Sequence, residues 1–274
     1  MSKKVQFVIW AIILIAVVVL LGGLVYNVVK MNTEGNVHPE VTFEIKDYGN
    51  VKMELYPEYA PNTVSNFIRL VEKGYYNNKV VYGKDEICLY VGRNSEGEIE
   101  NPKTSLIFDN VESGSEYDYD YTIKGEFAGN GFKQNTLMHE KGVVSLIRND
   151  YTQYVQTLSE ESYNSGNAQL GIMMGENASN LNGAYAAFGK VIEGMDVLEN
   201  IYNNVEMKQA EASEGTEDHV TETEQVDITS FANYPVILNV TVDKHGVNYN
   251  DPQVEEAFDY SSYLYNLMSS YSNN

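Results

Sequence analysis

Cysteine is nearly absent from this chain: Cys88 is the one thiol in 274 residues. A single thiol excludes an internal disulfide and any cysteine-based zinc site. Basic residues are scarce, with 18 Lys+Arg against 39 Asp+Glu and a formal net charge of −21. Neutralising phosphates requires clustered Lys and Arg, so nucleic acid is excluded as a partner. The four histidines, His38, His139, His219 and His245, share no ligand spacing and read as surface or structural residues. Glu116, Asp118 and Asp120 could loosely hold Ca²⁺ by composition, but they lack EF-hand spacing, and a solvated acidic loop is the expectation. No metal and no cofactor is therefore expected. What the chain does have is 43% hydrophobic residues and 22 tyrosines, enough apolar material for a core.

Charge is missing altogether from residues 5–29, a run flanked by Lys3 and Lys4 before it and Lys30 after it. About 20 apolar residues in a helix cross a bilayer core of about 30 Å. Trp10 and Tyr26 lie towards the two ends, where amphipathic rings favour the interface. The lysine bias places the short N-terminus in the cytoplasm and everything after Lys30 outside. A cleaved signal peptide has a shorter apolar region, about 7–15 residues, ending at a small-residue site, and no A-x-A follows this run. The expectation is a single-pass membrane anchor within residues 1–30 and a spacer over 31–40. A folded domain over 41–243 and a tail or short helix over 244–274 complete the organisation.

Residues 41–45 and 51–55 alternate apolar and polar and flank the turn cluster Asp47-Tyr-Gly-Asn50, which predicts a hairpin. Val64, Phe67, Ile68 and Val71 fall on one helical face, with Pro61 suited to the first turn and Gly74 to the C-terminal cap. Strand-like runs follow at 79–82, 87–91, 142–147, 169–174, 186–192 and 235–242. A short helix is predicted over 195–201, with Val197, Leu198 and Ile201 inward. Residues 94–121 and 207–226 are acidic and read as exposed insertions. Asp251-Pro252 is expected to start a C-terminal helix carrying Ala257, Leu264 and Met268 inward. Many short strands and two main helices fit a closed β-barrel with capping helices or an open α+β sandwich, which pattern alone does not separate.

Ala60-Pro-Asn-Thr-Val-Ser-Asn-Phe67, the run Leu181–Val197 and several segments around them, taken in order, resemble the cyclophilin family of peptidyl-prolyl isomerases. Gly49-Asn-Val-Lys-Met-Glu-Leu-Tyr-Pro57 is similar to its second strand. Ala60-Pro-Asn-Thr-Val-Ser-Asn-Phe67 is similar to its A-P-x-T-V-x-N-F helix opening, and Gly74-Tyr-Tyr76 to the turn that follows. Lys124-Gly-Glu-Phe127 resembles a motif of bacterial members, and Gly142-Val-Val-Ser-Leu-Ile-Arg148 the G-V-[LV]-S-M-A-[NR] strand. Asn164-Ser-Gly-Asn-Ala-Gln169 resembles the approach to S-Q-F-F-I. The longest match runs from Leu181 to Val197, close to L-D-G-x-Y-A-A-F-G-K-V-x-x-G-M-D-V. The resemblance covers residues 41–242 and implies a mostly β fold, an eight-stranded antiparallel barrel capped by two helices.

Rotation about an X-Pro bond breaks amide resonance against a barrier of about 18–20 kcal/mol. A catalyst needs only to seat the proline ring, grip the neighbouring carbonyl and stabilise the twisted nitrogen. In the family an arginine in F-H-R-V donates to that nitrogen. Ungapped, this arginine falls on Gly83, which has no donor, and a one-residue slip would substitute Lys84. Arg93 lies further along and is not expected to reach. The resemblance assigns Gln169 to the catalytic set. It places Cys88, Leu89, Val91, Leu170, Gly171, Leu181 and Tyr185 along the substrate groove, with Val91 in place of the carbonyl-gripping glutamine and Gly171 in place of an aromatic wall. The implied partners are proline-containing peptides or exported proteins. The expected activity is weak or absent isomerisation, the alternative being a non-catalytic cyclophilin-like module that binds peptides or a partner protein.

Overall fold

The computed structural model describes residues 37–153, 155–176, 178–207 and 234–272. The apolar run 5–29 and the acidic stretch 208–226 lie outside the described residues. No helix among the described residues is long and apolar enough to cross a membrane. Residues Pro39–Asn274 form one compact unit.

The first hairpin is as its alternation predicts. Strands β1 (Glu40–Ile45) and β2 (Gly49–Leu55) pair antiparallel with Val41 opposite Met53 and Phe43 opposite Val51. These four side chains are buried, while the intervening Thr42 and Lys52 are not. Asp47 and Gly49 take up positive φ, 66° and 121°, at the turn. Helix α1 (Pro61–Glu72) buries Val64, Phe67, Ile68, Leu70 and Val71. Phe67 packs its ring 5.2 Å from both Phe188 and Tyr76.

No side chain of α1's own N-cap residue, Ala60, satisfies its first turn. The buried Glu126 does so from a distant loop. Its carboxylate accepts the Asn62 N–H at 2.9 Å, the Thr63 N–H at 2.7 Å and the Thr63 hydroxyl at 2.8 Å. This contact explains why a glutamate stands in the Lys124–Phe127 motif. Asn66 has a comparable role: its amide donates to the Asn167 carbonyl at 2.6 Å and accepts the Tyr121 hydroxyl at 2.7 Å.

The remaining strands are β3 (Val80–Lys84), β4 (Cys88–Arg93), β5 (Tyr121–Thr122), β6 (Val143–Leu146), β7 (Leu170–Met173), β8 (Ala186–Glu193), β9 (Ile237–Asp243) and β10 (Glu255–Glu256). Eight of them form one sheet in the order β3-β4-β7-β6-β8-β2-β1-β9, and every pairing is antiparallel. The sheet curls until its edges meet at one end: Val80 bridges Val236, and Asn78 and Ile237 exchange hydrogen bonds with neighbouring carbonyls at 2.8 Å. Helix α1 packs against β8 and β9. The helices between are the short α2 (Thr104–Ile107) and α3 (Ser159–Tyr163), and then α4 (Met195–Asn204), which packs against β2.

Two glycines of the Leu181–Val197 motif are fixed by close approach. A Cβ at Gly189 would lie 2.7 Å from the Glu54 carbonyl oxygen. At Gly194, φ is +80° and a Cβ would lie 2.3 Å from the Asn50 carbonyl oxygen.

Two expectations are corrected. Residues 94–121 are more than an exposed insertion, because they contain α2 and reach β5, and Ile107 and Tyr121 are wholly buried. Their acidic composition conceals these isolated core residues. Within this segment, the Asp118 carboxylate accepts N–H groups of Ser105 and Gly114 at 3.1 and 2.7 Å. At the C-terminus, Asp251 does not start a helix. Glu255 and Glu256 pair with Thr122 and Tyr121, and α5 (Tyr260–Ser272) begins after Asp259, whose carboxylate accepts the Ser262 N–H at 2.9 Å. Ala257 lies before α5, Leu264 is half-buried, and Met268 is 57% exposed.

Candidate active site

Strand periodicity divides the side chains of β3, β4, β6 and β7 between two faces. Val81, Leu89, Val91, Leu170 and Ile172 point into the core, where they surround its centre together with Phe43 and Leu198. The opposite face, with the adjoining loops, walls a cleft of about 620 Å³.

This alternation sorts the residues expected from the sequence. Cys88, Gln169, Leu181 and Tyr185 line the cleft together. Leu89, Val91 and Leu170 are corrected to the interior: they are core residues of the sheet. Gly171 pairs with Tyr90 and Ser145, both cleft residues, and a Cβ built on it would lie 2.8 Å from Ile147 Cδ1. Ile147 thus takes the space of the missing aromatic wall. Gly83 pairs with Tyr90 and offers no side chain. Lys84 is corrected too. Its ammonium donates to the carbonyls of Tyr202 and Val205, the latter at 2.9 Å, and closes the C-terminal end of α4 instead of entering the cleft.

The cleft is nevertheless lined by two guanidinium groups, those of Arg93 and Arg148. Arg93 reaches it through the register of the β3–β4 hairpin. Irregularities on either side of Val81 bring Arg93 opposite Val80, beside Tyr82 on the same face. Its Cζ lies 4.4 Å from the centroid of the Tyr82 ring. Nη1 donates to the Gly97 carbonyl at 3.3 Å, and the buried Nε has no hydrogen-bond partner among the described residues. The Tyr82 hydroxyl donates to Gln169 Oε1 at 2.6 Å. Burial pushes the Tyr82 hydroxyl up to about 12, against the pull of the Arg93 charge, so it is a neutral donor near pH 7. Arg93, not expected from the sequence to reach the site, thus lines the same cleft as Gln169. A residue ten positions beyond Gly83 looks remote along the chain, but an antiparallel hairpin folds it back.

Arg148 closes another part of the wall. Its Cζ lies 4.7 Å from the Tyr185 ring centroid, 5.1 Å from Tyr163 and 5.6 Å from Phe127. Nε donates to the Ala184 carbonyl at 3.0 Å, and Nη1 to that of Asn149 at 3.2 Å. The acids of the cleft are engaged locally. Asp85 accepts the Ile87 and Cys88 N–H groups at 2.8 and 2.7 Å and the Tyr90 hydroxyl at 2.6 Å, and Asp150 accepts the Thr152 N–H at 3.1 Å.

Ile87, Cys88, Ile147, Met173 and Leu181 supply apolar surface to the cleft. Cys88 Sγ lies 3.5 Å from Met173 Sδ, and burial first, then the Asp85 charge, pushes its thiol up to about 12. The thiol is an apolar wall, not a nucleophile. Behind the wall, His139 joins Ser145 Oγ and Asn182 Oδ1, each at 3.0 Å, and is itself buried. Arg93, Arg148, Tyr82, Ile147 and Met173 are among the cleft residues that sequence reasoning missed. Strand alternation counted forward from Gln169 would have found Met173, but only the hairpin register reveals Arg93.

A family model for cyclophilin type peptidyl-prolyl cis-trans isomerase/CLD matches residues 40–231, well over half of the chain. Among curated proteins, peptidyl-prolyl cis-trans isomerase B of Bacillus subtilis is 28% identical over 167 residues, 61% of this chain and 93% of that protein. A peptidyl-prolyl cis-trans isomerase of Acinetobacter baylyi is 26% identical over 191 residues, 68% of this chain and 81% of its own length. Among solved structures, a cyclophilin type isomerase of Cryptosporidium parvum, crystallised in the presence of the dipeptide Ala-Pro, covers 74% of this chain and 98% of its own at 18% identity and a TM-score of 0.49.

Proposed function

The chain belongs to the cyclophilin-type peptidyl-prolyl cis-trans isomerase family, and from that premise we propose that its cleft binds X-Pro segments and isomerises them weakly. The observation that carries this reading is the convergence of Gln169, a guanidinium and an apolar floor on one cleft. The proline ring rests on Ile87, Ile147, Met173 and Leu181. Arg93 supplies the donor to the twisted prolyl nitrogen, from the end of β4 and not from the position of Gly83. No covalent step is required; the only change is rotation about a bond whose resonance the donor weakens.

Turnover is weak for two geometric reasons. The Arg93 guanidinium lies against the Tyr82 ring, and Gln169 Oε1 already accepts the Tyr82 hydroxyl. Each contact must be exchanged for one to substrate. A misplaced donor costs about 10²–10³ in rate. The same Tyr82–Gln169 contact favours a second reading, in which the cleft binds proline-containing segments without turning them over.

The protein acts as an extracytoplasmic, membrane-anchored folding assistant for exported proteins, held by residues 5–29, whose length and flanking lysines support the assignment. The test of the reaction is NMR exchange on an X-Pro peptide with the full chain in detergent. Acceleration about 10²–10³ below that of the Bacillus subtilis relative is expected. Binding without acceleration would select the second reading, and rates equal to the relative would refute the weak-turnover assignment.

A further inference from the structure

The chain contains three arginines, Arg69, Arg93 and Arg148. Arg69 is ion-paired with Asp109 at 3.2 Å and with Asp251 at 3.7 Å. The other two line the cleft, and among the described residues neither lies within ion-pairing distance of a carboxylate. In a chain with more than twice as many acids as bases, two unpaired guanidinium groups in one cleft call for a ligand. If Arg93 serves the prolyl amide, as proposed above, Arg148 is left over.

Arg148 is built to hold a carboxylate. Three aromatic rings fix the plane of its guanidinium, so little side-chain freedom remains to be lost on binding. Its Nε and Nη1 each donate to one backbone carbonyl, and its Nη2 makes no hydrogen bond within the described residues. The neighbouring Asp150 is not ion-paired with it among the described residues, and Asp150 Oδ1 accepts the Thr152 N–H and hydroxyl. A planar guanidinium with free N–H groups matches a carboxylate better than any neutral acceptor.

We propose that Arg148 makes the cleft selective for proline-containing peptides that carry a carboxylate close to the proline. The proposal rests on the X-Pro reading and names its substrate class. Two sources supply that chemistry, an Asp or Glu side chain next to the proline and the carboxy-terminus of a short peptide. The selection works against the chain's overall charge of −21, which repels acidic peptides at long range. Moderate salt therefore speeds encounter while leaving the local contact, so the preference is read at about 0.15 M ionic strength, where the Debye length is about 8 Å.

The test is a titration of the full chain in detergent with acetylated, amidated pentapeptides that differ only in the residue before proline: Glu, Gln or Lys. Copies with Ala in place of Pro, and a Gln-Pro copy with a free carboxy-terminus, complete the set. The expected order of affinity is Glu, then Gln, then Lys, with roughly tenfold between the first two. Arg148→Gln should erase the order, and Arg148→Lys should keep it with a smaller spread, which separates lost charge from lost packing. Tighter binding of the free-terminus copy than of its amide assigns the carboxylate to chain ends as well. Equal affinity for Glu-Pro and Gln-Pro, or a preference that survives Arg148→Gln, overturns the proposal and leaves the X-Pro reading intact. Equal affinity for the Pro and Ala peptides overturns the X-Pro reading itself.

Discussion

Ile147 occupies the space that a larger residue at position 171 would need, with its Cδ1 2.8 Å from where a Cβ of that residue would stand. Gly171→Phe alone should therefore overpack the wall and cost about 1–3 kcal/mol. Ile147→Ala should remove most of that cost in the double variant. Chemical denaturation of the four proteins gives the coupling, and additive effects would show that the two residues do not share one space. His139 offers a pH-dependent counterpart. Burial first holds its imidazole below the ordinary histidine value, against the opposing hydrogen bond that it donates to Asn182 Oδ1. Its contribution to stability is fully present above about pH 6.5, the unfolded value, and is lost as pH falls through the depressed folded value. His139→Gln should flatten the stability curve on that acid side in thermal melts, and an unchanged slope would assign it to other groups. At this scale the sequence was legible where a side chain's neighbour along the strand decides its face, as for Gln169. It was not legible at Leu89, Val91 and Leu170, because motif matching set adjacent positions such as Cys88 and Leu89 in one groove, whereas the pleat sends neighbours along a strand to opposite faces.

Helix α1 owes its start to a residue over sixty positions away. Glu126 is buried, and burial raises its carboxyl above the ordinary range against the three hydrogen bonds it accepts from α1's first turn. Glu126→Ala should leave the Asn62 and Thr63 N–H groups unsatisfied and cost about 1–2 kcal/mol. Glu126→Gln, which keeps one acceptor oxygen, should cost less. Urea unfolding measures both, and an Ala variant as stable as the parent would remove the cap from the account. The elements themselves could be read from the chain: β1, β2 and α1 follow their hydrophobic periods closely. The failures share a cause. Tyr121 and Ile107 are core residues set singly in polar sequence, and the helix start at Asp259 was preceded by an equally plausible one at Asp251. Periodicity needs several apolar residues in register, and isolated ones leave no period to detect.

At the scale of the whole molecule, a curled sheet with its cleft on the outer face explains why the motifs are spread over the full domain yet meet in one place. The motifs that identify the family mostly build this scaffold: Asn66 bridges α1 to Asn167 and Tyr121, Gly189 admits the β2 backbone, and Gly194 opens α4. They carried the architecture well and the chemistry poorly, because a reaction site depends on which side chains converge and not on the frame around them. The membrane assignment belongs to this scale as well. Residues 5–29 should keep the protein in the membrane pellet after alkaline carbonate extraction, and release into the supernatant would refute a spanning anchor.

Arg93 is the residue on which the proposed isomerisation turns. Isomer exchange on an X-Pro peptide, measured for the full chain and for Arg93→Gln, should show weak turnover that falls to the uncatalysed rate in the variant while peptide binding is lowered only modestly. Arg93→Lys should retain a fraction of the parent rate, since a lysine donates without the planar fork. Turnover that survives Arg93→Gln unchanged would contradict the relocation of the donor to the end of β4.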